Sequence, residues 1–211
     1  MKKILFALTL YFGILQANAQ NFNGSIEFKY STQKDTTTNI YLVKDKLIKL
    51  DQYGKKTNAI EGSFIFDLNA NTIKFVNPKR KVWGEHKSET PPVVKGVCTV
   101  TKGGTKSIQG IKCVEYDVKN TDENTVIAYW VAESKFTFFV PIIKLWNRKD
   151  KQSIYFSQIK DLPEGSMPLL SEEKQINDGK LITKLEVVKI NKTVPDDASL
   201  AVPPNYNKFD Q

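Results

Sequence analysis

The sequence predicts a mainly β protein: a curved antiparallel sheet that rolls into an incomplete barrel and carries a short helical cap. Three observations lead there. Apolar and polar residues alternate at period two through most of the chain, as in Ile26, Phe28 and Tyr30 against Glu27 and Lys29. Short clusters of turn formers separate these runs, so neighbours in sequence become antiparallel neighbours in space. One segment, 135–160, breaks the pattern with dense aromatics at helical spacing.

The chain starts with Lys2-Lys3, an apolar run from Ile4 to Leu15, and Ala17-Asn18-Ala19 before Gln20. A basic start, a short apolar middle and small residues at the junction are the pattern of a secretory signal peptide, cut between Ala19 and Gln20. The run is too short to span a bilayer core, which needs about 20 helical residues. No Cys follows the junction to carry a lipid, so the expected location is the periplasm or beyond. Removing 19 residues from 211 leaves 192, a length suited to one β domain.

Strand runs are expected at Ile26–Tyr30, Asn39–Val43, Lys46–Asp51, Phe64–Leu68, Thr72–Val76, Val97–Lys102, Ile111–Val118, Thr125–Val131 and Lys180–Ile190. Connected by short turns, they form an up-and-down meander. Gly103-Gly104 reads as one tight turn, and Asp178-Gly179 as a hairpin turn with φ > 0 at both central positions. Strand Thr125–Val131 is apolar on both faces, with Val126, Ala128 and Trp130 on one and Ile127, Tyr129 and Val131 on the other. Each face therefore requires a cover.

The 135–160 segment supplies one cover. Ile142, Leu145 and Trp146 suit one helical face, and Pro141 fits a first turn. The run Ile154–Phe156 is compatible with helix or strand. Trp130, Phe138, Phe139, Trp146 and Tyr155 are the candidate lining of an apolar pocket for a lipid or acylated peptide, although core packing is the commoner fate of any one aromatic. An extended tail is expected from about residue 194, because Pro203-Pro204 interrupts ladder bonding.

Chemistry has little to build on. There is one His, His86, in the polar stretch 85–90, and no Gly-x-Ser-x-Gly, so nucleophilic catalysis lacks its parts. Glu172-Glu173 and Asp196-Asp197 are adjacent pairs that point to opposite faces when extended, which makes them poor chelators and reads as solvated charge. Glu115 and Asp117 share a strand face that reads as a polar exterior. No catalytic residue, metal ligand or cofactor is expected. The net charge of +8 falls to +6 without Lys2 and Lys3, and no basic stripe suits nucleic acid. Weak attraction to anionic headgroups remains.

Cys98 and Cys113 would lie in an oxidising compartment, which favours a disulfide over two buried thiols. A turn at Gly103-Gly104 sets Cys98 against Gln109, however, so a direct bridge needs a wider loop centred on Thr105 and Lys106.

Several local patterns occur in order: Gly24-Ser-Ile-Glu-Phe, Tyr41-Leu-Val-Lys-Asp-Lys-Leu-Ile-Lys-Leu, Thr105-Lys-Ser-Ile-Gln-Gly-Ile-Lys-Cys-Val-Glu-Tyr, Tyr129-Trp-Val-Ala, Gly165-Ser-Met-Pro-Leu, and the tail from Val194 to Tyr206. With these the chain resembles the secreted family catalogued as domain of unknown function forty-four twelve, itself similar to LolA/LolB-type lipoprotein carriers. The resemblance implies an incomplete barrel whose concave apolar face holds acyl chains. Family members carry a larger apolar residue near Leu200 or Ala201. The leading expectation is a non-enzymatic periplasmic protein binding an apolar ligand, with the membrane surface or an envelope protein as a further partner. The alternative is an envelope interaction module with a filled core.

Overall fold

The computed structural model describes residues 21–209 apart from 56, 89, 91 and 92. The signal peptide and its Ala19–Gln20 junction lie outside the described residues. Eleven long or medium strands are β1 (Gly24–Thr32), β2 (Thr36–Lys44), β3 (Leu47–Tyr53), β4 (Ile60–Asp67), β5 (Thr72–Asn77), β6 (Val82–His86), β7 (Thr99–Ile108), β8 (Ile111–Asn120), β9 (Thr125–Ala132), β10 (Met167–Gln175) and β11 (Leu181–Asn191). The helices are α1 (Phe139–Trp146), α2 (Lys151–Phe156) and α3 (Asp197–Leu200), and β12 (Asn207–Lys208) ends the chain.

All twelve strands form one curved, unclosed sheet in the order β12-β6-β5-β4-β3-β2-β1-β11-β10-β9-β8-β7. The expected single meander is therefore two. β1 to β6 run outward in one direction, the chain then crosses to the far edge, and β7 to β11 return to pair β11 with β1. Alternation alone carries no information about that long-range closure. Bulges at Glu27/Phe28, Gln52/Tyr53, Lys102/Thr105, Pro168/Leu170 and Glu173/Lys174 add twist and bend the sheet.

Two turns differ from expectation. Gly103 and Gly104 lie inside β7, at its bulge, and the turn falls at Gln109-Gly110, where both residues are left-handed (φ 51° and 72°). Between β10 and β11 only Gly179 has positive φ (68°), and its N–H bonds back to Gln175 in a longer loop.

The shift of the β7–β8 turn decides the cysteines. Cys113 pairs in register with Lys106, while Cys98 lies just beyond Thr99, which pairs with Lys119. At about 3.3 Å per residue the two sit some 20 Å apart, beyond the ~7 Å reach of a bridge. Both are free thiols, which overturns the expected disulfide. Burial pushes the Cys113 thiol up to about 11.

The main core lines the concave face: Ile26, Phe28, Tyr41, Ile48, Leu50 and Phe66 from one meander, and Val118, Ile127, Tyr129, Val131 and Val187 from the other. The cap insertion leaves and returns through a narrow neck. The Phe136 N–H bonds to the Gly165 carbonyl at 3.0 Å, and the Phe22 N–H to the Lys135 carbonyl at 2.8 Å. Gly165 has φ +86°, and a Cβ there would stand 2.8 Å from the Lys135 nitrogen, so only glycine fits.

The tail crosses the convex side. α3, N-capped by Asp196, packs on β3, and Asp197 pairs with Lys44 at 2.6 Å. Leu200 is fully buried and anchors the tail, while Val202 and Tyr206 are half-buried. Ile65 and Val76, buried outside the main cluster, share that outer side. Contrary to the reading of the two prolines as a full stop, the tail ends in a short parallel ladder, Asn207 with Val82 and Lys208 with Trp83.

Candidate functional site

Residues 135–160 fold as two short helices on the concave face, and Ile154–Phe156 belongs to α2. Pro141 sits in the first turn of α1, where a missing N–H costs little. α1 ends at Asn147 in the left-handed conformation, which turns the chain sharply. Asp150 then caps α2 by accepting the Ser153 N–H at 3.0 Å and also holds Arg148 Nε at 2.6 Å.

Between cap and sheet lies a cavity of about 130 Å3. Its walls are Phe28, Tyr41 and Leu50 from β1–β3, Tyr129, Pro168 and Leu185 from β9–β11, and Phe139, Ile143, Trp146 and Phe156 from the cap. A plug of aromatic rings closes the inner end: Phe28 on Tyr41 at 5.2 Å, Tyr41 on Phe138 at 5.8 Å, and Phe22 on Phe136 at 5.4 Å. Trp146 packs on Phe64 at 4.6 Å and Phe66 at 5.0 Å, with the Arg148 guanidinium 4.5 Å from its ring. Thr37, Asn39, Gln52, Arg148 and Asp150 give the remaining wall its polarity. Tyr30, Thr37 and Gln52 lie toward the β1–β2 and β3–β4 turns, so the mouth opens at that end.

One side of the cavity rests on a buried polar chain joining cap to sheet. The Tyr129 hydroxyl donates to the Gln152 carbonyl at 2.8 Å, and Gln152 Nε2 donates to Thr183 Oγ1 at 2.9 Å. Ser171 Oγ donates to Gln152 Oε1 at 2.7 Å, and Thr183 Oγ1 donates to Glu173 Oε2 at 2.8 Å. Burial raises the phenols: Tyr41 to about 12, Tyr129 well above its ordinary value, and Tyr30 despite its bond to Thr183. At neutral pH these hydroxyls are protonated hydrogen-bond donors rather than bases.

Of the five expected lining residues, the structure brings Phe139 and Trp146 to the cavity. Phe138 is packed into the inner plug. Tyr155 is fully buried on another side of α2, its hydroxyl donating to Glu123 Oε2 at 2.8 Å. Trp130 is a correction: register places it with Ala128 on the convex face, away from the cap, where Lys106 Nζ stands 3.8 Å from its ring centroid. That face of β9 remains half-buried, without the second cover that its composition suggested. Sequence reasoning missed Phe28, Tyr41, Leu50, Gln152 and Arg148. The first three have a signal, since each sits on an alternating face, but which face turns inward depends on the sheet's curvature.

The charged pairs also find places. Glu172 and Glu173 do point to opposite sides of β10, yet neither is loose loop charge: Glu172 pairs with Lys174 at 2.7 Å, and Glu173 is buried. Asp196 and Asp197 both serve the α3 anchor. His86 ends β6 with its ring 5.8 Å from Phe64, and its Nε2 is buried without a hydrogen-bond partner. Among the described residues no group of three or more His, Cys, Asp or Glu side chains is arranged to hold a metal, and no helix is long and apolar enough to cross a membrane.

A curved, unclosed sheet with helices over its hollow defines a cap-covered β trough. The chain belongs to the family described as domain of unknown function (DUF4412), which matches residues 22–206. No curated protein matches it in sequence. Among solved structures it is similar to MucB in the Pseudomonas aeruginosa MucA/MucB complex, with a TM-score of 0.50 and 13% identity over 86% of this chain and 56% of that one. The chain thus spans little more than half the length of that neighbour. It is also similar to a LolA superfamily protein from Nitrosomonas europaea, with a TM-score of 0.36 and 8% identity over 87% and 91% of the two chains. A domain from Vibrio parahaemolyticus described as an outer membrane lipoprotein-sorting protein domain follows at a TM-score of 0.32 and 7% identity over 84% and 87%.

Proposed function

We propose that the protein is a non-enzymatic binder of an apolar chain, a lipid or acylated peptide, working outside the cytoplasm after loss of residues 1–19. The observation that carries this is the cavity between cap and sheet, apolar within and polar at its mouth. An aliphatic chain enters end-on, and its polar end stays beside Arg148 and Gln52. The volume is below the ~300–1,000 Å3 of usual small-molecule sites and close to an engineered cavity of about 150 Å3 that takes benzene. It therefore holds roughly six carbons as it stands. At ~0.8 kcal/mol per methylene these contribute about 5 kcal/mol before ordering costs, and a longer chain needs the cap to shift.

Calorimetric titration with a series of straight-chain carboxylates tests the reading. Affinity should rise about fourfold per methylene up to about six carbons, and Leu185→Trp, which fills the cavity, should weaken binding at unchanged secondary structure. Absence of saturable binding at every length, or equal affinity in the filled variant, defeats it.

The small free volume favours a second reading, an envelope interaction module with a packed interior. On that reading alkyl chains leave the protein unaffected, and crosslinking in cells retrieves a protein partner in their place.

A further inference from the structure

Chain direction fixes which loops surround the mouth. The β1–β2, β3–β4, β5–β6, β8–β9 and β10–β11 turns share one end of the sheet. The loop between α1 and α2 joins them, since Lys151 at the start of α2 bonds Thr125 Oγ1 at 2.8 Å. The segment leading into β7 is held there too: the Lys95 N–H donates to Glu123 at 3.1 Å, and Asn120 donates to the Lys95 carbonyl at 2.8 Å.

Charge is distributed unevenly between the two ends. The described residues of these mouth-end loops include nine basic and five acidic side chains, whereas the loops at the opposite end have five of each. The β5–β6 turn presents Lys79, Arg80 and Lys81 consecutively, all exposed. The same end carries bare aliphatic side chains: Val93 is 94% exposed and Val97 81%, on either side of Lys95. Leu181 (42% exposed) and Val100 (39%) start β11 and β7 at this end, whereas Val194 (51%) follows β11 at the opposite end and Phe209 (49%) follows β12. Apolar loop tips among basic side chains match a bilayer interface, where headgroups meet the cations and the aliphatic tips pass below them.

We propose that the mouth end docks on an anionic lipid bilayer, so that the cavity opens directly onto the membrane surface. This deepens the apolar-chain reading, on which its purpose rests. Val93, Val97 and Val100 follow one another along the segment that enters β7 while Leu181 stands apart at the start of β11, and a chain poorly soluble in water gains by leaving the cavity into an adjoining apolar phase. A bilayer therefore fits better than an acidic protein.

Vesicle flotation of the purified protein tests it. Wild type should float with phosphatidylglycerol-containing vesicles at low salt, stay behind with pure phosphatidylcholine, and be released by high salt. The triple variant Lys79→Gln, Arg80→Gln, Lys81→Asn should lose about a hundredfold in vesicle affinity, at roughly fivefold per basic side chain. Val93→Asp with Val97→Asp should also weaken it, while Lys46→Gln with Lys192→Gln at the other end should leave it unchanged. No flotation with anionic vesicles, or an equal loss in the control, overturns the proposal. The carboxylate titration separates it from the reading beneath: variants that bind carboxylates normally but do not float support the docking face. Flotation by wild type without carboxylate uptake sinks the cavity reading and leaves the docking face standing.

Discussion

Gln152 is the side chain through which the cap is fastened to the sheet, and replacing it with leucine tests that fastening. The amide accepts from Ser171 at 2.7 Å and donates to Thr183 at 2.9 Å, and all three residues are buried. In Gln152→Leu the Ser171 hydroxyl is orphaned, at about 1–3 kcal/mol, and the bond to Thr183 is lost, at about 1 kcal/mol. Thr183 keeps its donation to Glu173, and the Tyr129 bond survives because it ends on the backbone carbonyl of 152. Added apolar burial returns about 1 kcal/mol, leaving a net loss of roughly 1–3 kcal/mol. Urea unfolding followed by tryptophan fluorescence measures it. Removing the orphan as well, in Gln152→Leu/Ser171→Ala, should recover part of the loss and give a clear coupling in the double-mutant cycle. A single-variant change within about 0.5 kcal/mol, or strict additivity in the cycle, would refute the claim that this network holds the cap.

Other consequences follow from the same structure. Leu200→Ala should cost about 2 kcal/mol, the low end for a buried leucine because the tail can settle inward, and should expose the 192–196 link to limited proteolysis; an unchanged digestion pattern argues against the anchor. The Tyr155 hydroxyl holds the Glu123 carboxylate below its usual 4.5, with the Lys95 N–H and Lys151 assisting. A depressed folded value gives stability that is present above 4.5 and lost as pH falls through the lower folded value. Glu123→Gln should accordingly flatten the acid limb of a stability–pH profile, and an unaltered limb would contradict the assignment. Thiol titration should find two free thiols per denatured chain and only Cys98 reacting in the native one; a mass gain of two hydrogens on reduction would instead reveal a bridge.

The strands were legible because alternation is a local property: Ile26–Tyr30 and Thr125–Val131 lie within observed strands, and Phe64–Leu68 overlaps β4 up to Asp67. The helical cap was legible through the aromatic spacing around Trp146. The β1–β11 pairing was not, since residues 160 or so apart carry no local trace of one another. β10 escaped notice because Pro168 interrupts its pattern, and the structure places a bulge there. The cysteines failed through one turn: Gly103-Gly104 looked like the obvious reversal, yet Gln109-Gly110 takes it. At the site, Trp130 was assigned with the cap aromatics on composition, and parity relative to a curved sheet put it outside. Gln152 and Arg148 have no local signal, because their roles arise only when α2 and the mouth loop meet strands from both meanders.

The most direct test of the binding account is a crystal structure of the protein with a terminally brominated short-chain carboxylate, read by bromine anomalous scattering. The account predicts one peak among Phe28, Leu50 and Phe139, with the carboxylate toward Gln52 and Arg148. Bromine bound only on the convex face, or an undisturbed empty cavity at saturating ligand, would contradict it.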